Sequence, residues 1–270
     1  MTQSRTTSRR RAPIRGIAAH DLARTMGRPW RLLGPLLLVA APGWLALLAL
    51  RLAEGDATLR AELGAVADLG HQLSTAATGV GAAGFVVLGA LLVVGDRRSG
   101  LWEFLVGAQI GDRVLRRSRL QVVTVLTVTT VLLVAGQQAV LFAVVSDGEP
   151  IAGSGTGEGF AVLLFGGLWW AVLGWFVACR ATSWTLPAVV AVSANVLAPA
   201  LQALPDGPWE WLPPVLLAHR VGGDEVAWTS AAGACVAGCL VLILADRWAT
   251  PRPGSARPSR STGRRDLEPT

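Results

Sequence analysis

Six stretches of the chain, each 19 to 27 residues long, contain no charged side chain: Leu32–Leu50, Leu73–Gly95, Leu120–Ser146, Gly159–Cys179, Ala181–Pro205 and Val226–Ala245. A helix rises about 1.5 Å per residue, so roughly 20 apolar residues cross a hydrocarbon layer about 30 Å thick. One such stretch fits a buried core helix; six in 270 residues do not. Only 16% of the residues are charged, against about 25% in a soluble domain, and mean hydropathy is +0.48. The expected fold class is all-α: a polytopic integral membrane protein with about six transmembrane helices. Residues 1–31 read as an N-terminal segment and 32–246 as the membrane domain, with spans near 32–50, 75–94, 120–145, 160–179, 184–204 and 228–245. Residues 247–270 read as a tail, rich in Pro, Ser, Gly and Arg beyond Pro251, with almost nothing to bury.

All 24 basic residues are arginine. Without lysine there is no Walker A loop, whose lysine must reach the nucleotide phosphates, so ATP hydrolysis by a P-loop in this chain is excluded. The arginines also set an orientation. With six spans and both termini cytoplasmic, 21 of the 24 lie inside and only Arg51, Arg60 and Arg220 lie outside, as the positive-inside rule requires. The net charge of +6 therefore reflects topology, and no nucleic-acid partner is expected. The run Ser8-Arg9-Arg10-Arg11 stands too far from the first apolar stretch for a cleaved signal, so that stretch reads as a permanent span. The localisation that follows is the cell (plasma) membrane, multi-pass, with three external loops near 51–72, 147–158 and 206–225.

Small residues crowd the second span from Thr75 to Gly84, and the sixth carries Gly233-xxx-Ala237 and Ala234-xxx-Gly238. That spacing lets helix backbones approach closely, which predicts both spans inside the bundle. Pro187 and Pro199 should bend the fifth. Trp169, Trp170 and Trp175 lie within the fourth, either packing or lining a path. Cys179, Cys235 and Cys239 have no metal-like spacing and read as small apolar filler.

Charge is confined to loops, tails and span ends, so no proton relay crosses the spans. Gln137, Gln138, Asn195 and Gln202, with hydroxyls, are the polar content there; they either line a substrate path or bridge helices. No HExxH motif occurs, and the run Gly153-Ser-Gly-Thr-Gly-Glu-Gly159 lacks dinucleotide spacing and reads as a linker. No catalytic residues and no metal site are expected. An energy source outside the chain is favoured.

The loop after the second span runs Asp96-Arg-Arg-Ser-Gly100-Leu-Trp-Glu103-Phe-Leu105-Val-Gly-Ala-Gln-Ile110-Gly-Asp-Arg113. Leu101, Phe104, Leu105 and Ala108 recur at three and four, as on one face of a helix ending near Gly111. This loop resembles that of membrane permeases of the type-2 ATP-binding-cassette exporters. Many of them carry Gly-Thr-Leu-Glu, paired leucines, a Pro-Val turn and a basic residue there. Gly100, Glu103, Leu105, Val106, Ile110 and Arg113 fit the pattern; Leu101, Trp102 and Gln109 replace threonine, leucine and proline. Two further features are similar. Ile14, Ile17, Leu22 and Met26 outline an amphipathic N-terminal helix, its apolar face interrupted by Asp21, and Trp209 to His219 resembles a short external helix.

The resemblance implies a permease subunit that pairs with a second permease subunit, as homo- or heterodimer, and docks on separate ATP-binding-cassette ATPase subunits. The chain itself would bind no cofactor; ATP and Mg would sit on the partner ATPase. Gly100, Leu101, Trp102, Glu103, Phe104, Leu105 and Arg113 would form the ATPase-coupling helix, and Gln137, Gln138 and Asn195 a possible path lining. The alternative is a membrane scaffold or sensor subunit that transports nothing. The orientation is testable: reporters of external location fused near residues 60, 152 and 215 should be active, and one fused at the C-terminus silent. A reporter active outside at the C-terminus rules out the six-span topology.

Overall fold

In lipid each backbone N–H and C=O must find its partner within the protein, and a helix does this within one segment. The computed structural model describes residues 14–27, 30–52, 69–108, 110–145, 155–181, 183–202, 207–222 and 227–249, and among them there is no strand. Helices lie over all six apolar stretches: α2 (Trp30–Leu52), α4 (Gly79–Arg98), α6 (Asp112–Val145), α7 (Thr156–Ala178), α8 (Thr185–Gln202) and α10 (Trp228–Ala249). Four of them, α4, α6, α7 and α10, are long and apolar enough to cross a membrane, and the described apolar stretch of α2 is Leu32–Leu45. The protein is thus an all-helical, membrane-embedded bundle. Shorter helices are α1 (Ile14–Met26), α3 (Leu69–Thr75), α5 (Leu101–Gly107) and α9 (Pro213–Gly222), the last preceded by a 3-10 turn at Pro208–Trp211.

The bundle is built around α7, which packs against α3, α4, α6, α8, α9 and α10. Its glycines explain that position. A β-carbon on Gly174 would overlap the Val86 carbonyl oxygen, and one on Gly89 of α4 would overlap the Ala171 carbonyl oxygen. The two backbones touch along a seam where no side chain fits, the arrangement that stabilises helix pairs in lipid. Phe85, Val86, Trp170 and Ala171 are buried around it, and the Trp170 indole donates to the Ala77 carbonyl at 2.8 Å. Trp170 and Trp175 are each 2% exposed and pack within the bundle.

Several expectations change here. The small residues of the second span do bury it, with 67% of its apolar window inside the bundle, but only 17% of the corresponding window of α10 is buried. The helix α10 is peripheral. A helix buries one stripe, and Ala234 and Gly238 occupy it, Gly238 against Trp169, while Gly233 faces open space. The second helix starts at Gly79 instead of residue 75, because Thr75–Thr78 form turns (Ala77 N–H to Ser74 C=O and Thr78 N–H to Thr75 C=O, both 3.0 Å) that separate it from α3. Residues 69–72, expected in an external loop, belong to α3, which is buried against α7. The helix over the expected third span starts at Asp112, so the arginines before Leu120 ride on its first two turns. Thr156–Gly159, read as linker, open α7, and α10 extends to Ala249. Pro187 falls within the first turn of α8, where a missing N–H costs no helical hydrogen bond. The expected disordered tail beyond residue 249 and the central parts of the expected loops near 51–72 and 147–158 lie outside the described residues.

The seam makes a sharp forecast. Gly174→Val should lower bundle stability by about 1–3 kcal/mol, the usual range for overpacking, whereas Gly233→Val should leave the thermal midpoint in detergent close to that of the parent. Equal melting of both variants would show that α4 and α7 do not meet as described.

Candidate functional site

At one end of the bundle the C-terminal turns of α4, α7 and α10 meet the first turns of α6 and the flank of α1. Two aspartate–arginine clusters hold them together. In the first, Arg119 of α6, fully buried, is the centre. Its Nε and Nη2 each lie 2.6 Å from Oδ2 of Asp96 on α4, and its Nη1 pairs with Asp21 on α1. Arg24, on α1, reaches Oδ1 of Asp96 at 2.6 Å, and Ser118 Oγ lies 3.3 Å from Asp21 Oδ2. In the second cluster Arg116 binds Asp112 at 2.6 Å, one turn earlier on α6, and Asp246 of α10 at 2.8 Å. Arg180, just past α7, lies 3.4 Å from Asp246 and over the Phe176 ring at 3.6 Å. Each cluster joins two arginines to two aspartates, so neither buries net charge. That balance makes burial affordable, since an isolated ion in a low-dielectric site is strongly disfavoured.

The sequence placed these groups in loops or at span ends. Their positions are indeed terminal, but Asp21, Asp96, Arg119 and Asp246 are buried. The break that Asp21 makes in the apolar pattern of α1 was the one signal of this in the sequence. The buried positions of α1 include Asp21 and Thr25, and the helix packs on α6; the expected apolar Leu22 packs against the core with Ala18, so the described inward face is mixed, apolar and polar. The side chains of Ile14, Ile17 and Met26 lie outside the described residues.

Above these clusters sits α5. Gly100 joins it to α4 with φ of +69°, a left-handed conformation that favours glycine. The reversal is closed by Ser99 N–H to Gly95 C=O and Gly100 N–H to Arg97 C=O, both 3.1 Å. Trp102 is buried and roots the helix in a cluster with Val93, Val94, Leu115 and Trp175. The Arg97 guanidinium lies over the Trp102 ring at 5.3 Å and donates to the Cys179 and Ala181 carbonyls, each at 2.8 Å, capping the end of α7. One side chain thus ties together the ends of α4 and α7 and the root of α5.

The apolar stripe expected on α5 does not all face inward. Leu101 and Leu105 are half-buried, but Phe104 is 69% exposed and Val106 and Ala108 are exposed as well. Trp102, which departs from the exporter pattern, is the inward residue, because the turn at Gly100 rotates the helix to face it down. Glu103 is exposed and makes no ion pair among the described residues. The helix ends at Gly107, before the expected Gly111, and Arg113, grouped with it by the resemblance, stands on the first turn of α6.

The candidate path residues lie elsewhere. Gln138 is 1% exposed, and a β-carbon on Gly43 of α2 would overlap its amide. Neither amide atom of Gln138, nor Nε2 of Gln137, has a hydrogen-bond partner among the described residues. The side chains of Asn195 and Gln202 lie outside the described residues. Among those described, no group of three His, Cys, Asp or Glu side chains is placed to hold a metal ion.

No protein-family model, curated protein or solved structure matches the chain. The fold and the site therefore define a class only, a helical membrane protein with a charge-paired, tryptophan-rooted connector at one end of its bundle.

The clusters predict a characteristic pattern of stability. Arg119→Met leaves Asp21 buried without its counter-charge and should cost about 3–5 kcal/mol, the range for breaking a buried pair from one side. The double variant Asp21→Leu/Arg119→Met restores charge balance, with Arg24 still paired to Asp96, and should recover much of the loss in a thermal melt. A double variant as unstable as the sum of the two single ones would show that the pair is not coupled.

Proposed function

We propose that the chain is the membrane permease subunit of an ATP-binding-cassette exporter of the type-2 kind, driven by separate ATPase subunits. Six spans cross the cell membrane with both termini cytoplasmic, and a second permease subunit completes the transport path. The chain is not an enzyme: ATP and Mg belong to the ATPase. The observation that carries this reading is the setting of α5, a seven-residue helix at the bundle end where the arginines gather, rooted by Trp102 and directing Glu103, Phe104 and Val106 outward. That end is the cytoplasmic one by the distribution of arginines.

The mechanism follows from the contacts. When the ATPases close on ATP they push α5. Its root cannot move alone, because Arg97 joins Trp102 to the end of α7, and Asp96, one residue earlier on α4, is held by Arg119 and Arg24. The displacement passes as a rigid-body shift into α1, α4, α6 and α7, the kind of motion by which membrane transporters alternate access. Coupling in this way is independent of charge within the spans, in keeping with the absence of any intramembrane relay. A scaffold or sensor would keep the same bundle without a partner on α5.

Glu103 separates the two readings. It is exposed, so Glu103→Ala and Glu103→Arg should leave folding within about 0.5 kcal/mol of the parent, as surface substitutions do. In the exporter, ATPase co-purification and ATP-driven transport fall in both variants, and further in Glu103→Arg, where a lost contact becomes a like-charge one. Parental behaviour of both variants in both assays would remove the coupling role and leave the scaffold.

A further inference from the structure

Beside the first cluster, α1 and α6 flank an open apolar groove of about 530 Å³. Ala18, Ala19 and Leu22 form one wall and Gln121, Thr124 and Val125 the other. Asp21 on α1 is ion-paired with the buried Arg119 on α6, which ties together the two helices that line the groove. The Thr124 hydroxyl donates to its own helix, to the Leu120 carbonyl at 2.9 Å, which leaves the wall it contributes largely apolar.

Arg117 lies on α6 one helical turn before Gln121, which lines the groove. It precedes Thr124 and Val125 by two turns, so all four share a face of α6. Its side chain is exposed and pairs with no acid among the described residues. The arginines at the neighbouring turns, Arg116 and Arg119, are consumed by the clusters. Arg117 is therefore an available cation at the level where the charge-free run from Leu120 begins, the boundary between headgroups and hydrocarbon.

We propose that this groove is a binding site for an anionic phospholipid, an acyl chain lying between α1 and α6 and the phosphate on Arg117. An apolar channel on the lipid-facing surface of a membrane-embedded bundle takes acyl chains, and a guanidinium on the same face of α6 takes a phosphate oxygen pair in fork geometry. The bound lipid would bridge α1 to α6 and add to the hold of the Asp21–Arg119 pair. Neither step requires an ATPase partner.

Native mass spectrometry of the full chain in detergent, supplied with phosphatidylglycerol or phosphatidylcholine of the same acyl composition, tests this. The parent should retain one phosphatidylglycerol in preference to phosphatidylcholine. Arg117→Gln should reduce that preference about fivefold, the factor contributed by one basic residue at an anionic lipid surface, and Arg117→Lys, which keeps the charge but not the fork, should fall between the parent and Arg117→Gln. Thr124→Trp, which fills the groove from an exposed position, should lose both lipids while its thermal midpoint stays parental. Equal retention of the two lipids, an unchanged preference in Arg117→Gln, or undiminished retention in Thr124→Trp would each overturn the site. So would a chain dimer, free of lipid, that Thr124→Trp dissociates, since the groove would then join two copies.

Discussion

Arg119 is the residue on which this bundle's end is organised. A guanidinium with no exposure to solvent is tolerable only with carboxylates around it, and its two carboxylates come from different helices, Asp21 on α1 and Asp96 on α4. Electrostatics therefore dictate where α1 lies. It is not free to float in the interface as an ordinary amphipathic helix would, because its aspartate has to reach the interior of α6. The same demand fixes the end of α4, which Arg24 then holds from the other oxygen of Asp96. A purely apolar end could slide; a pair of charge-balanced clusters admits few registers.

Away from the clusters, the bundle is held by shape. Within lipid there is little hydrophobic gain in bringing two apolar helices together, so association depends on close packing. The seam between α4 and α7 supplies it through Gly89 and Gly174, and Phe85, Val86 and Trp170 fill the space beside it. The exposed faces of α2, α6 and α8, with Leu33, Leu37, Leu132, Leu133, Val189 and Val192, are what a helix shows to acyl chains. The two modes of association divide the molecule: directional and polar at one end, steric and apolar through the middle.

The connector α5 depends on both. Its direction comes from one left-handed glycine, its depth from one buried tryptophan, and its link to α7 from one arginine that stacks on that tryptophan while capping two carbonyls. A helix of this length is not stable by itself. It persists because its root is part of the core, and so a force applied to its exposed face is delivered to the helices beneath. That is the physical basis for assigning it a coupling role.

The class of the molecule was legible in the sequence, because hydropathy is a property of single segments: six charge-free runs suffice to call for helices in lipid, and small residues suffice to bury α4. The oddity of Asp21 was visible without its meaning, and the left-handed turn at Gly100 was not foreseen. Pairing was not legible. One of the two acids that answer Arg119, Asp21, lies far away in sequence, on a helix whose apolar pattern suggested a different surface, and the small residues of α10 had the same spacing as those that bury a helix. Whether a small-residue stripe packs depends on what faces it, as Gly166, Gly167 and Gly174 of α7, which had drawn no notice, demonstrate. Charge and hydropathy of each segment set the composition of the helices. Only the tertiary structure decided which faces meet, because a buried ion pair and a backbone seam are relations between two distant segments, and neither segment carries the relation alone.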